Sequence, residues 1–235
     1  MKAVVLLSGG LDSTVALAAA KRDGEVVLAL TIDYRQRARA REIAASRAMA
    51  RRFGVRHRVV RLDFLGELTT SALVRRGEQL PFLSTEQLDD RESTEASMRG
   101  VWVPNRNGLF AAIAASFAEG LCAEQIVAGF NREEAGSFPD NSADFLERTN
   151  AALALSTLSG VRLVAPTIDL DKREIVRLGY DLGAPLDLVW SCYEGGARHC
   201  MSCESCLRLL RAVKSAGVEE RFLEEWQGTE GGRAE

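Results

Sequence analysis

The chain has 235 residues, of which 46% are hydrophobic and 27% charged, with a formal net charge of −3. This composition is ordinary for a globular protein with room for a large core. The negative charge argues against binding nucleic acid by bulk electrostatics, and no apolar run approaches the length of a membrane span. The apolar segment before Ser8 is too short for a signal peptide, so we expect a cytoplasmic protein.

The first predicted element is a buried strand at residues 2–7, which leads through a polar loop into an apolar helix. Glycines in such a loop let the backbone approach a phosphate, helix N–H groups and serine hydroxyls donate to it, and a carboxylate suits Mg²⁺. The lysine of the Walker pattern is missing. An ordinary strand-to-helix turn is the alternative, but the position of the loop at the end of the first strand favours a ligand. The predicted nucleotide site comprises Leu7, Ser8, Gly9, Gly10, Leu11, Asp12, Ser13 and Thr14.

Strands and helices alternate along the rest of the chain, which predicts an α/β fold with a parallel sheet of about five strands and helices on both faces. We predict further strands at residues 25–32, 56–62, 125–130 and 162–166. The predicted helices lie within residues 35–53, after 107, within 144–158, and before Gly179 or Gly183. The predicted divisions are a nucleotide-binding domain at 1–185, a metal-bound helical region at 186–227 and a solvated tail at 228–235.

Residues 64–100 contain no long periodic element, and we interpret them as a lid-like insertion over the site. Ten arginines lie between residues 35 and 61 against one glutamate. A tRNA-binding face is one reading of this segment, but few aromatic residues are interspersed, so a solvated helix face is favoured. Its start, Tyr34-Arg35-Gln36-Arg37, follows the second strand, where a base or phosphate could be bound.

Four of the five cysteines have the spacing C-x7-C-x2-C-x2-C, and these are Cys192, Cys200, Cys203 and Cys206. Four thiolates in this spacing predict a closed, structural Zn²⁺ site. An iron–sulfur cluster is the competitor, although the fourth cysteine of ferredoxins follows the C-x2-C-x2-C run rather than preceding it. We expect the neighbouring His199 to be exposed and unligated, and Cys122 to be a small buried side chain.

Together these residues resemble the 7-cyano-7-deazaguanine synthases, a branch of the PP-loop ATP pyrophosphatases with an adenine nucleotide alpha-hydrolase-like fold. The resemblance runs from the first loop to the cysteines and includes Val103-Pro104-Asn105-Arg106-Asn107, Pro139-Asp140, residues 170–175, Ser191-Cys192-Tyr193 and Ser205-Cys206-Leu207-Arg208. Arg35, Asn105 and Met201 stand where glycine is common in the family. Ala38, Asn141 and Ser142 also depart from its pattern.

The resemblance implies that 7-carboxy-7-deazaguanine, ammonia and ATP are converted to a nitrile through an adenylated carboxylate, an amide and a dehydration. It implies a homodimer with no nucleic-acid partner. Asp12 is assigned to Mg²⁺, and Lys172 and Arg106 to charge developing on phosphate, with surface ion pairs as the alternative for those two cations. Lower-ranked substrate contacts are Tyr34, Gln36, Arg37, Asn107, Pro139 and Asp140. The rivals are another amidating or tRNA-thiolating PP-loop enzyme and a non-catalytic, zinc-stabilised nucleotide-binding protein.

Overall fold

The computed structural model describes the backbone of residues 1–230 and the side chains of residues 1–226. Within these residues the predicted parallel sheet of five strands is confirmed, in the order β3-β2-β1-β4-β5. The strands are β1 (Lys2–Leu6), β2 (Glu25–Asp33), β3 (His57–Arg61), β4 (Gln125–Val127) and β5 (Arg162–Val164). The switch in strand order lies at β1, so the first loop opens between β2 and β4, where open parallel sheets bind ligands.

Helices connect these strands and continue beyond the last of them. The first five are α1 (Leu11–Asp23), α2 (Arg39–Arg52), α3 (Asp63–Leu68), α4 (Arg91–Val101) and α5 (Arg106–Gly120). The remaining helices are α6 (Arg132–Ala135), α7 (Ala143–Ser156), α8 (Lys172–Asp181), α9 (Glu204–Ala216) and α10 (Glu219–Glu230). No helix in the described part of the chain is both long and apolar enough to cross a bilayer.

The central strand separates two hydrophobic clusters because successive side chains point to opposite faces of the sheet. Val5 lies in a cluster with residues of α1, α2, α8, α9 and α10, whereas Val4 lies in a second cluster with residues of α5 and α7. Both valines are fully buried, as expected for a parallel sheet that is covered on both faces. The prediction of helices on both faces is therefore confirmed.

The C-terminal helices contribute to the same core as the first helix. Val213 of α9 and Phe222 and Trp226 of α10 lie in the cluster that contains Leu17 of α1. The predicted division between residues 185 and 186 runs through this shared cluster, and it stays a prediction. Helix α10 continues to Glu230, so the predicted tail starts inside a helix, and residues 231–235 lie outside the described residues.

The expectation that residues 64–100 lack a long periodic element is wrong, because they hold most of the eleven-residue helix α4. Only Ser97 and Val101 of this helix are buried, and its sequence, RESTEASMRGV, contains few large apolar residues that would reveal it. A local signal does exist at its start, where the Asp90 side chain accepts a hydrogen bond from the Ser93 N–H at 2.8 Å.

Several residues without a glycine's freedom adopt left-handed backbone angles. Arg35, Asn105 and Met201 have φ values of +67°, +50° and +60°. Glycine adopts such angles without strain, which accounts for its being common at these positions in the family that the sequence resembles. Cys122 also has a positive φ, of +54°. It turns the chain after α5 and is exposed, so the expectation of a buried Cys122 is wrong; its neighbour Ala123 is buried instead.

The left-handed angle at Arg35 predicts a stabilising substitution. We expect Arg35→Gly to be more stable than Arg35→Ala by about 1 kcal/mol, since a side chain at this angle costs about 1–2 kcal/mol and glycine avoids it. Both variants lose the same exposed ion pair with Asp63, at 2.8 Å, so the comparison isolates the backbone. Urea unfolding measures the difference, and equal midpoints with equal slopes would contradict the prediction.

Candidate active site

A cleft with a volume of about 290 Å³ opens at the carboxyl edge of the sheet. Its walls come from the first loop, the ends of β2 and β4, the start of α5, and the segment that leads into α9. Of the predicted site residues, the cleft is lined by Leu7, Ser8, Gly10, Leu11, Asp12, Ser13, Tyr34, Gln36, Arg106, Asn107 and Lys172. Residues that are far apart in the chain are thereby gathered at one edge.

The serine loop, residues 8–14, is held by its own hydroxyls. Ser13 Oγ accepts from the Ser8 N–H at 3.2 Å, and the two serine hydroxyls are 3.1 Å apart. Thr14 Oγ1 donates to the Gly10 carbonyl at 2.7 Å, which turns this buried side chain away from the cleft. The loop therefore presents two adjacent hydroxyls at the N-terminus of α1, which suits an anion.

Gly9 is required by conformation and by space. Its φ is +84°, and a Cβ there would lie 2.9 Å from the Glu42 carbonyl oxygen. Gly9 does not line the cleft; its carbonyl instead accepts from the Trp190 N–H at 2.9 Å. The loop is thus packed tightly between α2 and the C-terminal region.

Lys172 bridges two carboxylates at the centre of the cleft. Its Nζ donates to Asp12 Oδ2 at 2.6 Å and to Glu134 Oε1 at 2.5 Å. Desolvation opposes the charge on Lys172, but the two carboxylates together raise its pKa, so the amine stays cationic. Because Lys172 is buried, the alternative of a surface ion pair does not describe it.

The pKa values of the two carboxyl groups beside Lys172 are shifted in opposite directions. Burial, partly offset by Lys172 and reinforced by Glu134, raises the pKa of Asp12 to about 6. Burial acts to raise the pKa of Glu134, but the attraction of Lys172 outweighs it and leaves this pKa below the usual range. Asp12 is therefore the group of this pair whose charge changes near neutral pH.

Asp12 also carries an unsatisfied atom. Its Oδ1 is buried, and none of the described residues hydrogen-bonds to it. A buried carboxylate oxygen without a partner is costly unless a cation or a donor supplies one. Together with the oxygen ligands that Mg²⁺ prefers, this orphaned oxygen fits the metal assignment made for Asp12 from the sequence.

Arg106 opens α5 and points to the same cleft. It donates to the Tyr34 hydroxyl at 3.5 Å, while the Asn107 side chain donates to the Asp140 carbonyl at 3.1 Å. Desolvation opposes the charge on Arg106, but Tyr34 and Asp140 raise its pKa, so it remains cationic. A guanidinium held this way can meet an anionic oxygen in the cleft.

Three predicted substrate contacts lie outside the lining. Arg37 donates to the carbonyl oxygens of Arg75, at 2.5 Å, and Glu78, and so holds the insertion. Pro139 is exposed, and Asp140 approaches Arg106 without lining the cleft itself. The structure therefore gives Arg37 a structural position behind the cleft wall.

Four cysteines meet at the start of α9. Their sulfur atoms all lie within 4.8 Å of one another, and Cys192, Cys203 and Cys206 are buried. The backbone N–H of Cys203 donates to Cys200 Sγ at 3.2 Å. The donor set and its spacing fit one metal ion with four thiolates. The predicted group is thus brought together as a possible metal site.

A model of the family described as Queuosine biosynthesis protein QueC matches residues 2–217. The chain belongs to the QueC family. A relative from Pelotomaculum thermopropionicum, named 7-cyano-7-deazaguanine synthase, is 52% identical over 219 residues, which are 93% of this chain and 99% of the relative. Relatives of the same name from Desulforudis audaxviator and Methanosarcina barkeri are 56% and 50% identical, covering 92% and 95% of this chain and 98% of each relative.

In this QueC chain the expectation of an exposed His199 is wrong. Its ring is half-buried between Trp190 and Trp226, with centroid distances of 4.1 Å and 3.9 Å. His199 Nε2 also accepts from the Ser191 N–H at 3.3 Å. The histidine therefore packs the segment that carries the cysteines against Trp190, whose backbone N–H donates to the Gly9 carbonyl of the serine loop.

Sequence reasoning missed several cleft residues of this QueC chain. Glu133 Oε1 accepts from Arg208 at 3.1 Å and from Arg211 at 2.8 Å, which ties α6 to α9. Arg208 was visible only as part of a motif beside the cysteines. The polar loop after β4 signalled carboxylates at this edge without saying which would face the cleft. The lining residues without a predicted role include Glu42, Glu133, Glu134, Tyr193, Glu204 and Arg208.

The insertion, residues 64–100, contributes Leu73 to the wall of the cleft, and Val101, which directly follows it, lines the same wall. It is fastened to α9 by a buried hydrogen bond between Ser97 and Glu204 and by an ion pair between Asp89 and Arg211 at 2.7 Å. Its position agrees with a cover over the site. Whether it opens and closes stays a prediction.

Proposed function

We propose that this chain converts 7-carboxy-7-deazaguanine, ammonia and ATP to 7-cyano-7-deazaguanine. The observation that carries the proposal is the serine loop on the cleft, in a chain half identical to relatives of that name over nearly their whole length. A carboxylate oxygen attacks the α-phosphorus and releases pyrophosphate, and ammonia then displaces AMP to give an amide. A second ATP then adenylates the amide oxygen with release of pyrophosphate, and elimination of AMP leaves the nitrile.

The residues of the cleft suit this chemistry because phosphoryl transfer depends on positioning and charge neutralisation. The N–H groups and hydroxyls of the serine loop orient the phosphates. Lys172 and Arg106 balance the charge that develops there. Asp12 would hold Mg²⁺, which when bound neutralises phosphate charge and orients the leaving group. Tyr34, Gln36 and Asn107 line the same cleft, which supports their assignment as contacts to the nucleotide or the acid.

For the cysteine cluster we propose a structural zinc ion. Zinc–sulfur bonds of about 2.3 Å place tetrahedral sulfur atoms about 3.8 Å apart, and the four sulfurs here lie within 4.8 Å of one another. A four-iron cluster would spread its thiolates further than a single ion does. With four thiolates the site has no open position, so its role is to hold the C-terminal arm on the core.

We also propose a cytoplasmic homodimer, consistent with a biosynthetic enzyme that consumes ATP. The large side chains of Leu155 and Leu158, at and beyond the end of α7, are 92% and 103% exposed. These two leucines are the residues that we propose a second copy covers, since an interface would remove their apolar surface from water.

The function is tested with purified protein, Mg-ATP, ammonium and the carboxy-deazaguanine, followed by mass spectrometry. We expect loss of the acid, a transient amide, and appearance of the nitrile with AMP and pyrophosphate. AMP formation only with tRNA and a sulfur donor would instead support a thiolating enzyme. ATP binding without release of AMP or pyrophosphate would support a non-catalytic nucleotide-binding protein.

The pKa of Asp12, about 6, predicts the acid limb of the pH profile. Below this value Asp12 takes up a proton and loses the charge that a cation needs, so kcat/KM for Mg-ATP falls about tenfold per pH unit. Glu134→Gln removes a like charge and should move the limb to lower pH. An acid limb that stays in place in Glu134→Gln, or shifts upward, would count against Asp12 as the titrating group.

A further inference from the structure

Glu42 is a cleft residue without a role in the chemistry above. It lies in the first turn of α2 and lines the cleft beside Tyr34 and Gln36. Its backbone carbonyl lies against Gly9 of the serine loop, within 2.9 Å of where a Cβ on that glycine would be. Glu42 therefore lies beside the serine loop at the phosphate end of the cleft.

The Glu42 carboxylate has unused capacity to accept hydrogen bonds. Gln36 Nε2 donates to Glu42 Oε2 at 2.7 Å, and no described residue donates to Oε1. Burial outweighs the contributions of Gln36 and Arg106 and raises the pKa of Glu42. A carboxylate in this position is stabilised by a ligand that brings N–H or O–H donors.

The surroundings orient this carboxylate. Gln36 Oε1 accepts from the Tyr34 N–H at 2.9 Å, while Gln36 Nε2 is also 3.3 Å from the Ile32 carbonyl. The Gln36 amide is therefore fixed at both ends and presents its donor to Glu42. The rings of Tyr34 and Phe110, whose centroids are 5.8 Å apart and whose planes are tilted by 49°, provide an apolar wall nearby.

We propose that Glu42 recognises the heterocycle of the acid substrate by accepting the ring N–H and the exocyclic amino group of its aminopyrimidinone edge. This inference rests on the proposed function. Two adjacent donors match the two oxygens of one carboxylate. Adenine presents a donor beside an acceptor on its corresponding edge, so the same carboxylate disfavours it. Glu42 thus places the acid while the serine loop places ATP.

The test compares Glu42→Gln with the wild type under steady-state conditions. A glutamine keeps the shape but offers one oxygen and one amino group, so one ligand donor meets another donor. We expect KM for the acid to rise about 10- to 100-fold, with KM for ATP changed less than about twofold. Glu42→Asp, which keeps the charge on a shorter side chain, should show a smaller rise.

A substrate analogue that lacks the exocyclic amino group gives a readout that a structural role would not move. In the wild type the analogue should be used about 10-fold or more less efficiently than the acid. In Glu42→Gln this penalty should largely disappear, because the interaction that the amino group makes is already gone. The same penalty in both proteins would overturn the proposal.

Two further results would overturn the proposed role of Glu42, and each can be told apart from a failure of the proposed function. A raised KM for ATP in Glu42→Gln, absent when 2′-deoxy-ATP is used, would place a ribose hydroxyl on Glu42 instead. Turnover of the acid by the wild type with an unchanged KM in Glu42→Gln would refute this inference and leave the proposed function intact. No turnover of the acid by the wild type would refute the proposed function itself. An unchanged ATP affinity in the variant serves as the check on folding.

Discussion

Asp12→Asn is expected to lower kcat by about 10³-fold or more, because it removes the acidic side chain in the first turn of α1 that a cation could use. The asparagine would keep the size of the side chain and could still accept from Lys172. It could not supply the anionic oxygen that Asp12 Oδ1 leaves unpartnered among the described residues. Product formation measured by mass spectrometry across Mg²⁺ concentrations tests this expectation.

The fold should survive this change. Lys172 retains its 2.5 Å contact with Glu134, so no buried amine is left without a carboxylate. Asp23→Asn is the matched control, since Asp23 ends the same helix, is exposed and pairs only with Arg22 among the described residues. We expect the control to keep wild-type turnover. If Asp12→Asn kept more than about a tenth of the activity, the metal assignment would be wrong.

The second large effect concerns the cysteine cluster. Cys203→Ala is expected to abolish metal binding and to lower the free energy of unfolding by about 4 kcal/mol, the contribution of a ligand present at a thousand times its dissociation constant. Cys203 is fully buried at the start of α9, so its loss also frees the helix that packs Val213 against α1. Elemental analysis and urea unfolding measure the two effects.

Cys122→Ala provides the control for the cluster. Cys122 is exposed and lies outside the group of four, so this variant should keep both metal content and stability. If the wild type contained iron and absorbed visible light, the zinc assignment would be wrong and the cluster would hold an iron–sulfur centre. A Cys203→Ala variant with wild-type stability and full metal content would show that the cluster does not hold the arm.

Much of the fold could be predicted because its elements are continuous apolar runs. Residues 3–5 and 28–32 are buried on both faces of a parallel sheet, and such strands are recognisable without any partner. Helix α4 was not recognised, because its sequence contains few large apolar residues and the helix buries only Ser97 and Val101. Cys122 was misjudged because a left-handed turn, which its apolar neighbours do not reveal, exposes it.

The sequence by itself determined two sites of this protein, and the residues of each lie close together in the chain. The serine loop spans residues 8–14 and the cysteines span residues 192–206, so covalent proximity brings their donors together. Only the tertiary structure decided the rest of the cleft. Lys172 meets Asp12 across 160 positions of sequence, and Ser97 meets Glu204 across 107. Such contacts depend on the order of the strands and on which helix face packs inward, and a local pattern of residues carries no record of either.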